Sequence, residues 1–332
     1  MFNSKLIGTN SAGASIEPFY NTLVYSKTNT TPVSRTGVGF RPEFIIWYAG
    51  GTSSSVSTWV YDFIRGINKR LYLSINNGEV NDTTIISIDD DGFTTYNNNY
   101  VLNYFPTNIA LCFRTGAPIV TNTDGIIPTQ LSANPDIGFS IATYTGNGTT
   151  ASVGHGLSQA PEFTLIKRRT TVQRMEWRGY TSLIDGSNDY LLLTSSNPKI
   201  DSTETLPTSS VVHLQSNGGA ETNGNTNTYV MYNFHSVDGA SKVGTYVGNG
   251  GNQSIDTGFK VGMVFIKNTT SFANFIICNN KLVGNEYEIP GSSGYYSNAD
   301  APVLTSAGID LVNGRHNNSG DTYFYIAFAD LF

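Results

Sequence analysis

The residues able to do chemistry are few in this 332-residue chain, and their spacing matches no common catalytic pattern. A nucleophilic triad needs Ser or Cys beside a His that a carboxylate holds. The four histidines are His155, His213, His235 and His316, and no Gly-x-Ser-x-Gly elbow accompanies them. His155 lies in a Gly-bounded loop before a strand, so we read it as a polar loop residue. Metal-ligand spacing is equally scarce, with no His-x-x-x-His pair and no Cys-x-x-Cys. Asp89-Asp90-Asp91-Gly92 offers hard oxygen ligands to Ca²⁺ but lacks the alternating spacing and distal Glu of a Ca²⁺ loop. We read it as a hairpin turn before Phe93. Gly146-Asn147-Gly148-Thr149-Thr150-Ala151 has dinucleotide-fingerprint spacing, yet Ser152, Val153 and Gly154 follow where a phosphate-binding helix would have to begin. No cofactor and no metal are expected.

Glycosidic hydrolysis needs two carboxylates across a cleft. Glu43 and Glu162 each stand in a Pro-Glu-Phe stretch of a separate segment, and Asp62, Glu176 and Asp185 are isolated. We therefore expect no enzyme. Sugar binding is better served, because exposed Trp and Tyr stack on sugar rings while Asn and Asp fix hydroxyls. Candidates are Trp47-Tyr48, Trp59 with Tyr61 and Asp62, Trp177 with Tyr180, and Tyr295-Tyr296 in a Gly/Ser-rich loop. The competing reading is that strand aromatics fill a core. A basic cluster, Lys167-Arg168-Arg169 with Arg174 and Arg178, is either a solvated face or a match for an acidic partner surface.

The elements that must position these residues are strands. Charged residues make up 13% of the chain, against about 25% in an average globular protein. Tyr (19) and Phe (18) are abundant, and aromatic side chains suit a half-buried pleated surface. The net charge of −6 provides no basic field for nucleic acid. No stretch is apolar for long enough to insert in a membrane, and Met1-Phe2-Asn3-Ser4-Lys5 lacks the look of a signal peptide. Cys112 and Cys278 fall in different segments and read as buried free thiols.

Three segments align. Strands ending in Tyr25, Tyr144 and Tyr246 open them, and the second and third continue into Gly146-Asn147-Gly148 and Gly248-Asn249-Gly250, where Asn-Gly supplies positive φ for a tight turn. An apolar strand follows in each, beginning at Phe44, Phe163 and Met263. A closing strand then matches position by position. By its period of two, one face carries Ile109, Leu111 and Phe113; then Val230, Tyr232 and Phe234; then Phe324, Ile326 and Phe328. That face should be core. The expected architecture is all-β, with three tandem antiparallel jelly-roll-like β-sandwich repeats of about 95 residues, each closing its own core. The boundaries are a docking arm over 1–21, repeats over 22–117, 139–240 and 241–332, and a Pro-containing linker over 118–138. The second and third repeats should form a rigid pair, with the first free to sit at an angle.

The Tyr-x-Gly-Asn-Gly turn, the Gly-Phe-x-Pro approach and the aromatic closing strand resemble a repeated domain of unknown function in tail and virion structural proteins of tailed bacteriophages, marine and cyanophage types among them. The resemblance implies a non-enzymatic virion protein, assembled in the host cytoplasm, that is a tail fibre or tail-attached subunit in host attachment. It implies as partners other virion proteins, held through the N-terminal arm, and a host-surface glycan. A homo-oligomer, a trimer by analogy, goes with it. A capsid-decorating protein or a carbohydrate-binding module on the particle is the alternative.

Overall fold

The computed structural model describes residues 8–9, 15–28, 32–50, 58–96, 106–170, 176–215, 221–282, 285–289, 295–297, 300–312, 314 and 316–332, with backbone alone at 8–9, 15, 50, 285–289 and 295–297. The described residues form strands and turns without a helix, and every strand ladder is antiparallel. Three large sheets share one strand order, in which the closing strand lies between the opening strand and the apolar strand. The first runs Tyr20–Ser26, Thr107–Phe113, Phe44–Gly50, Trp59–Asp62, Lys69–Tyr72, Val80–Asn81. In the second, Phe139–Thr145 and Phe163–Arg168 flank Thr228–Phe234, and in the third Ser241–Val247 and Val261–Asn268 flank Thr322–Ala329.

Alternation along these strands decides what each face meets. Phe44, Ile46 and Tyr48 join the main hydrophobic cluster, whereas Ile45, Trp47 and Ala49 on the opposite face join a smaller one. That smaller cluster lies under the sheet of Val33–Thr36, Gly92–Thr95 and Ile85–Asp89. Ala151–Gly154 and Val211–Leu214 cover the second large sheet in the same way. All nine residues expected on the core face of the closing strands lie in the main cluster. What that face packs against differs from the expectation. The three large sheets turn these faces toward one another and share a single core, which also takes in Ile16, Phe19 and Tyr20. The first segment therefore does not sit apart from the other two.

Two further expectations are corrected. Val120–Asn122 and Thr129–Asn134, expected as linker, form a hairpin that extends the second large sheet beyond Phe139–Thr145. The end of the expected arm is built into the molecule, where Phe19 and Tyr20 pack on Phe328 at ring-centroid distances of 6.2 and 5.7 Å. At the other end Phe332 packs on Phe40 at 6.3 Å. The third sheet thus closes back on the first. Cys112 and Cys278 are buried free thiols. Asp90 and Asp91 form the turn of a hairpin, and Asp91 accepts hydrogen bonds from the backbone N–H of Gly37 (3.0 Å) and of Gly39 (2.5 Å).

Candidate functional site

Of the expected sugar-binding residues, Trp59, Tyr61, Asp62, Trp177 and Tyr180 lie in the core, which corrects their assignment to the surface. Exposure is 0% for Trp177, 1% for Tyr61, 2% for Asp62, 4% for Tyr180 and 5% for Trp59. The Trp59 ring is occupied by the Arg70 guanidinium 3.9 Å over it and by Trp47, tilted against it at 5.3 Å. Trp177 stacks on Tyr232 and donates from Nε1 to Tyr72 O at 2.6 Å. Tyr180 donates to Glu204 at 3.0 Å. Tyr295 and Tyr296 belong to a short strand, and their side chains lie outside those described. With so few charges on the chain, its aromatic surface is what fills the space between three sheets.

Asp62 belongs instead to an ionic network between the first and second sheets. Its Oδ2 accepts from Arg65 Nε at 2.5 Å and from Tyr232 Oη at 2.6 Å. Arg65 reaches on to Glu79 at 3.1 Å, and Arg169 grips both Glu79 oxygens at 2.9 and 3.1 Å. Burial alone would raise the Glu79 carboxyl, but Arg169 and Arg65 hold it below its ordinary range. The basic cluster thus finds its acidic surface inside the chain. Arg168 bonds Thr170 and Asn227, Arg178 lies 4.4 Å over Tyr190, and Arg174 is outside the described residues. Lys167 is buried with its ammonium 5.8 Å from the Trp177 ring, and burial pulls it down to about 8 despite nearby Glu176 and Glu221.

The other chemistry-bearing residues are similarly engaged. Glu43 Oε2 accepts from Thr115 N (2.7 Å), Thr115 Oγ1 (2.6 Å) and Gly116 N (3.0 Å), fixing the chain where the closing strand exits. Glu162 Oε2 does the same for Ser236 N and Oγ, at 2.6 Å each. His155 Nδ1 accepts from Leu157 N at 3.1 Å, so Nε2 carries the proton toward Thr208 O at 3.1 Å. Burial lowers its basicity and keeps it neutral. Asp185, Asp189 and Asp201 converge, but the cation at their centre is Lys199, with Nζ at 2.7, 2.7 and 2.5 Å. Glu176 bonds Asn76 at 2.6 Å and also Thr194.

The Gly-Asn-Gly turns are half of a clamp whose other half the sequence reading missed. Tyr144 stacks on Tyr229 at 5.0 Å, and Tyr246 on Tyr323 at 4.9 Å. Tyr144 Oη donates to Thr222 O and Tyr246 Oη to His316 O, each at 2.7 Å. Asn147 N donates to Asn223 Oδ1 and Asn249 N to Asn317 Oδ1, each at 2.9 Å. Glycine is required at Gly248 because a Cβ there would stand 2.2 Å from Asn318 O. The usable signal was the equal spacing of Asn223 and Asn317 before the closing-strand tyrosines. In the first sheet Asn108 stands where Tyr229 and Tyr323 stand, opposite Tyr25.

An open groove of about 460 Å³ lies at the end of the second sheet, lined by Thr121, Ile127, Pro128, Gln130, Thr143, Tyr144, Thr145, Arg169 and Thr228. Its hydroxyls, amide and guanidinium can hydrogen-bond a polyhydroxylated ligand. Among the described residues its lining holds no carboxylate or imidazole to move a proton and no Cys or Ser nucleophile. No curated protein matches the sequence. A family described as Domain of unknown function (DUF7483) matches residues 16–331, nearly all of the described structure, and the chain belongs to that family.

Proposed function

We propose that this chain is a non-enzymatic structural protein of a bacteriophage particle, a tail-fibre or tail-attached subunit in host attachment. In this reading it is assembled in the host cytoplasm, with three jelly-roll-like sandwich units built on the three large sheets and joined through the core they share. One observation carries the proposal: an ionic network of Asp62, Arg65, Glu79, Arg169 and Tyr232 is spent on tying the first sheet to the second. A block tied together in this way suits a part that transmits position and load. The motif resemblance supplies the particle, with other virion proteins as partners. Purified protein added to phage-sensitive bacteria should slow phage adsorption, and an antibody against it should label intact particles. Absence of both effects would remove the proposal.

The groove beside Arg169 favours a second reading, a carbohydrate-binding module that takes a host-surface glycan. Glycan-array binding that Arg169→Ala and Gln130→Ala both abolish is the expected result. Unchanged binding by both variants would exclude this groove.

A further inference from the structure

Asn-Gly steps can modify themselves. The backbone nitrogen of the glycine attacks the asparagine side-chain carbonyl carbon, a five-membered succinimide forms, and the side-chain nitrogen leaves as ammonia. Water then opens the ring at either carbonyl, leaving aspartate or isoaspartate. The reaction needs a mobile side-chain amide and an unbonded glycine N–H. Four Asn-Gly steps have both residues described: Asn77-Gly78, Asn147-Gly148, Asn223-Gly224 and Asn249-Gly250.

Three of these steps are locked on both counts. Gly148 N is bonded to Asn223 O at 2.9 Å, Gly250 N to Asn317 O at 2.8 Å, and Gly224 N to Tyr229 Oη at 2.7 Å. Their asparagine side chains are bonded too, Asn147 to Thr149, Asn223 to Asn147 and Thr149, and Asn249 to Gly251 and Asn317. Asn77 differs. It is exposed, and among the described residues no hydrogen bond reaches its side chain or the Gly78 N–H.

We propose that Asn77-Gly78 is a site of spontaneous deamidation, and that its product sits in the junction between the first and second sheets. On one side Asn76 bonds Glu176 at 2.6 Å. On the other, Glu79 donates its backbone N–H to Arg169 O at 2.8 Å and shares its carboxylate with Arg65 and Arg169. Aspartate at 77 adds a negative charge beside Glu79. Isoaspartate also lengthens the backbone by one methylene, just before the bond to Arg169. The modification weakens the hold of these two sheets on each other, slowly and irreversibly.

The test is incubation of the full chain in mildly alkaline buffer, with tandem mass spectrometry of its peptides over days. Amide-to-acid conversion should appear at Asn77 roughly tenfold faster than at Asn147, Asn223 or Asn249, a factor worth about 1.4 kcal/mol of barrier. In concentrated urea the four rates should converge, because only the fold separates them. The Asn77→Ser protein should lack the early acidic species on ion exchange. Equal rates in the native protein would overturn the proposal. So would a rate order that persists in urea, or an early acidic species that survives in Asn77→Ser.

Discussion

The junction of the first and second sheets and that of the second and third bury cations by opposite means. In the former, Arg65 is fully enclosed yet meets Asp62 and Glu79, with Tyr232 completing the set. In the latter, Lys267 is equally enclosed but meets no carboxylate among the described residues, only Ser195 O at 3.2 Å, Ala273 O and the Phe275 ring at 5.4 Å. Burial is the whole cause of its depression to about 7. A paired buried charge is costly to break, whereas an unpaired one is costly to keep. Cations buried at neighbouring sheet junctions can therefore respond to mutation with opposite sign.

Removing one partner from the paired junction gives the largest expected effect. Asp62→Ala should lower unfolding free energy by about 3–5 kcal/mol in denaturant titration, because it strands the Arg65 charge. Adding Arg65→Met should recover much of the loss, and failure to recover would mean that Asp62 acts through something other than this charge.

Lys267→Met should move the other way. An ammonium whose folded pKa of about 7 lies below its unfolded value of 10.5 makes the unfolded state bind more protons between those limits. Stability therefore rises with pH from about 7 toward 10.5, and the burial cost is fully present below 7. The variant should gain on the order of 1–3 kcal/mol near neutral pH. The gain should fade as pH approaches 10, and a pH-independent difference would contradict the assignment.

The sheet ends sharpen the comparison, with the second and third sheets standing together against the first. Tyr144→Phe and Tyr246→Phe each delete a bond to a loop carbonyl and should cost about 1 kcal/mol. Tyr25→Phe should cost under about 0.5 kcal/mol, because among the described residues the buried Tyr25 hydroxyl makes no hydrogen bond of ordinary geometry. Equal costs at all three positions would dissolve the distinction.

A comparably small effect concerns acid. The Glu79 carboxyl is held low, so its contribution is present above the ordinary carboxylate pKa and is lost as pH falls through the depressed value. Glu79→Gln should flatten the acid limb of the stability profile by about 1 kcal/mol, an amount reduced by the partial exposure of the site.

Much of this fold was legible because period two is a strong signal. Ile109, Leu111 and Phe113 and their counterparts in the other closing strands showed which face meets the main core. The same pattern does not say what lies opposite, and a face turned toward a neighbouring sheet looks like one turned toward its own cover. Trp59 and Trp177 were ambiguous for that reason, since a tryptophan in a strand reads alike under either fate. Arg169 and Glu79 lie far apart in the chain, and nothing local to either marks the pairing. The clamp was half visible, in its Gly-Asn-Gly turns, while Asn223 and Asn317 lie in loops whose spacing carries no hydrophobic rhythm.

Ile16 through Tyr20 and the Leu331-Phe332 end lie at the meeting of the third sheet with the first, through Phe19 on Phe328 and Phe332 on Phe40. A tensile force applied between these two segments would load that aromatic contact together with the Tyr20–Phe113 end of the first sheet's ladder. The first mechanical event would be the opening of one side of the three-sheet core, leaving the salt-linked side intact. Under load the molecule would behave as a clasp with an aromatic opening edge.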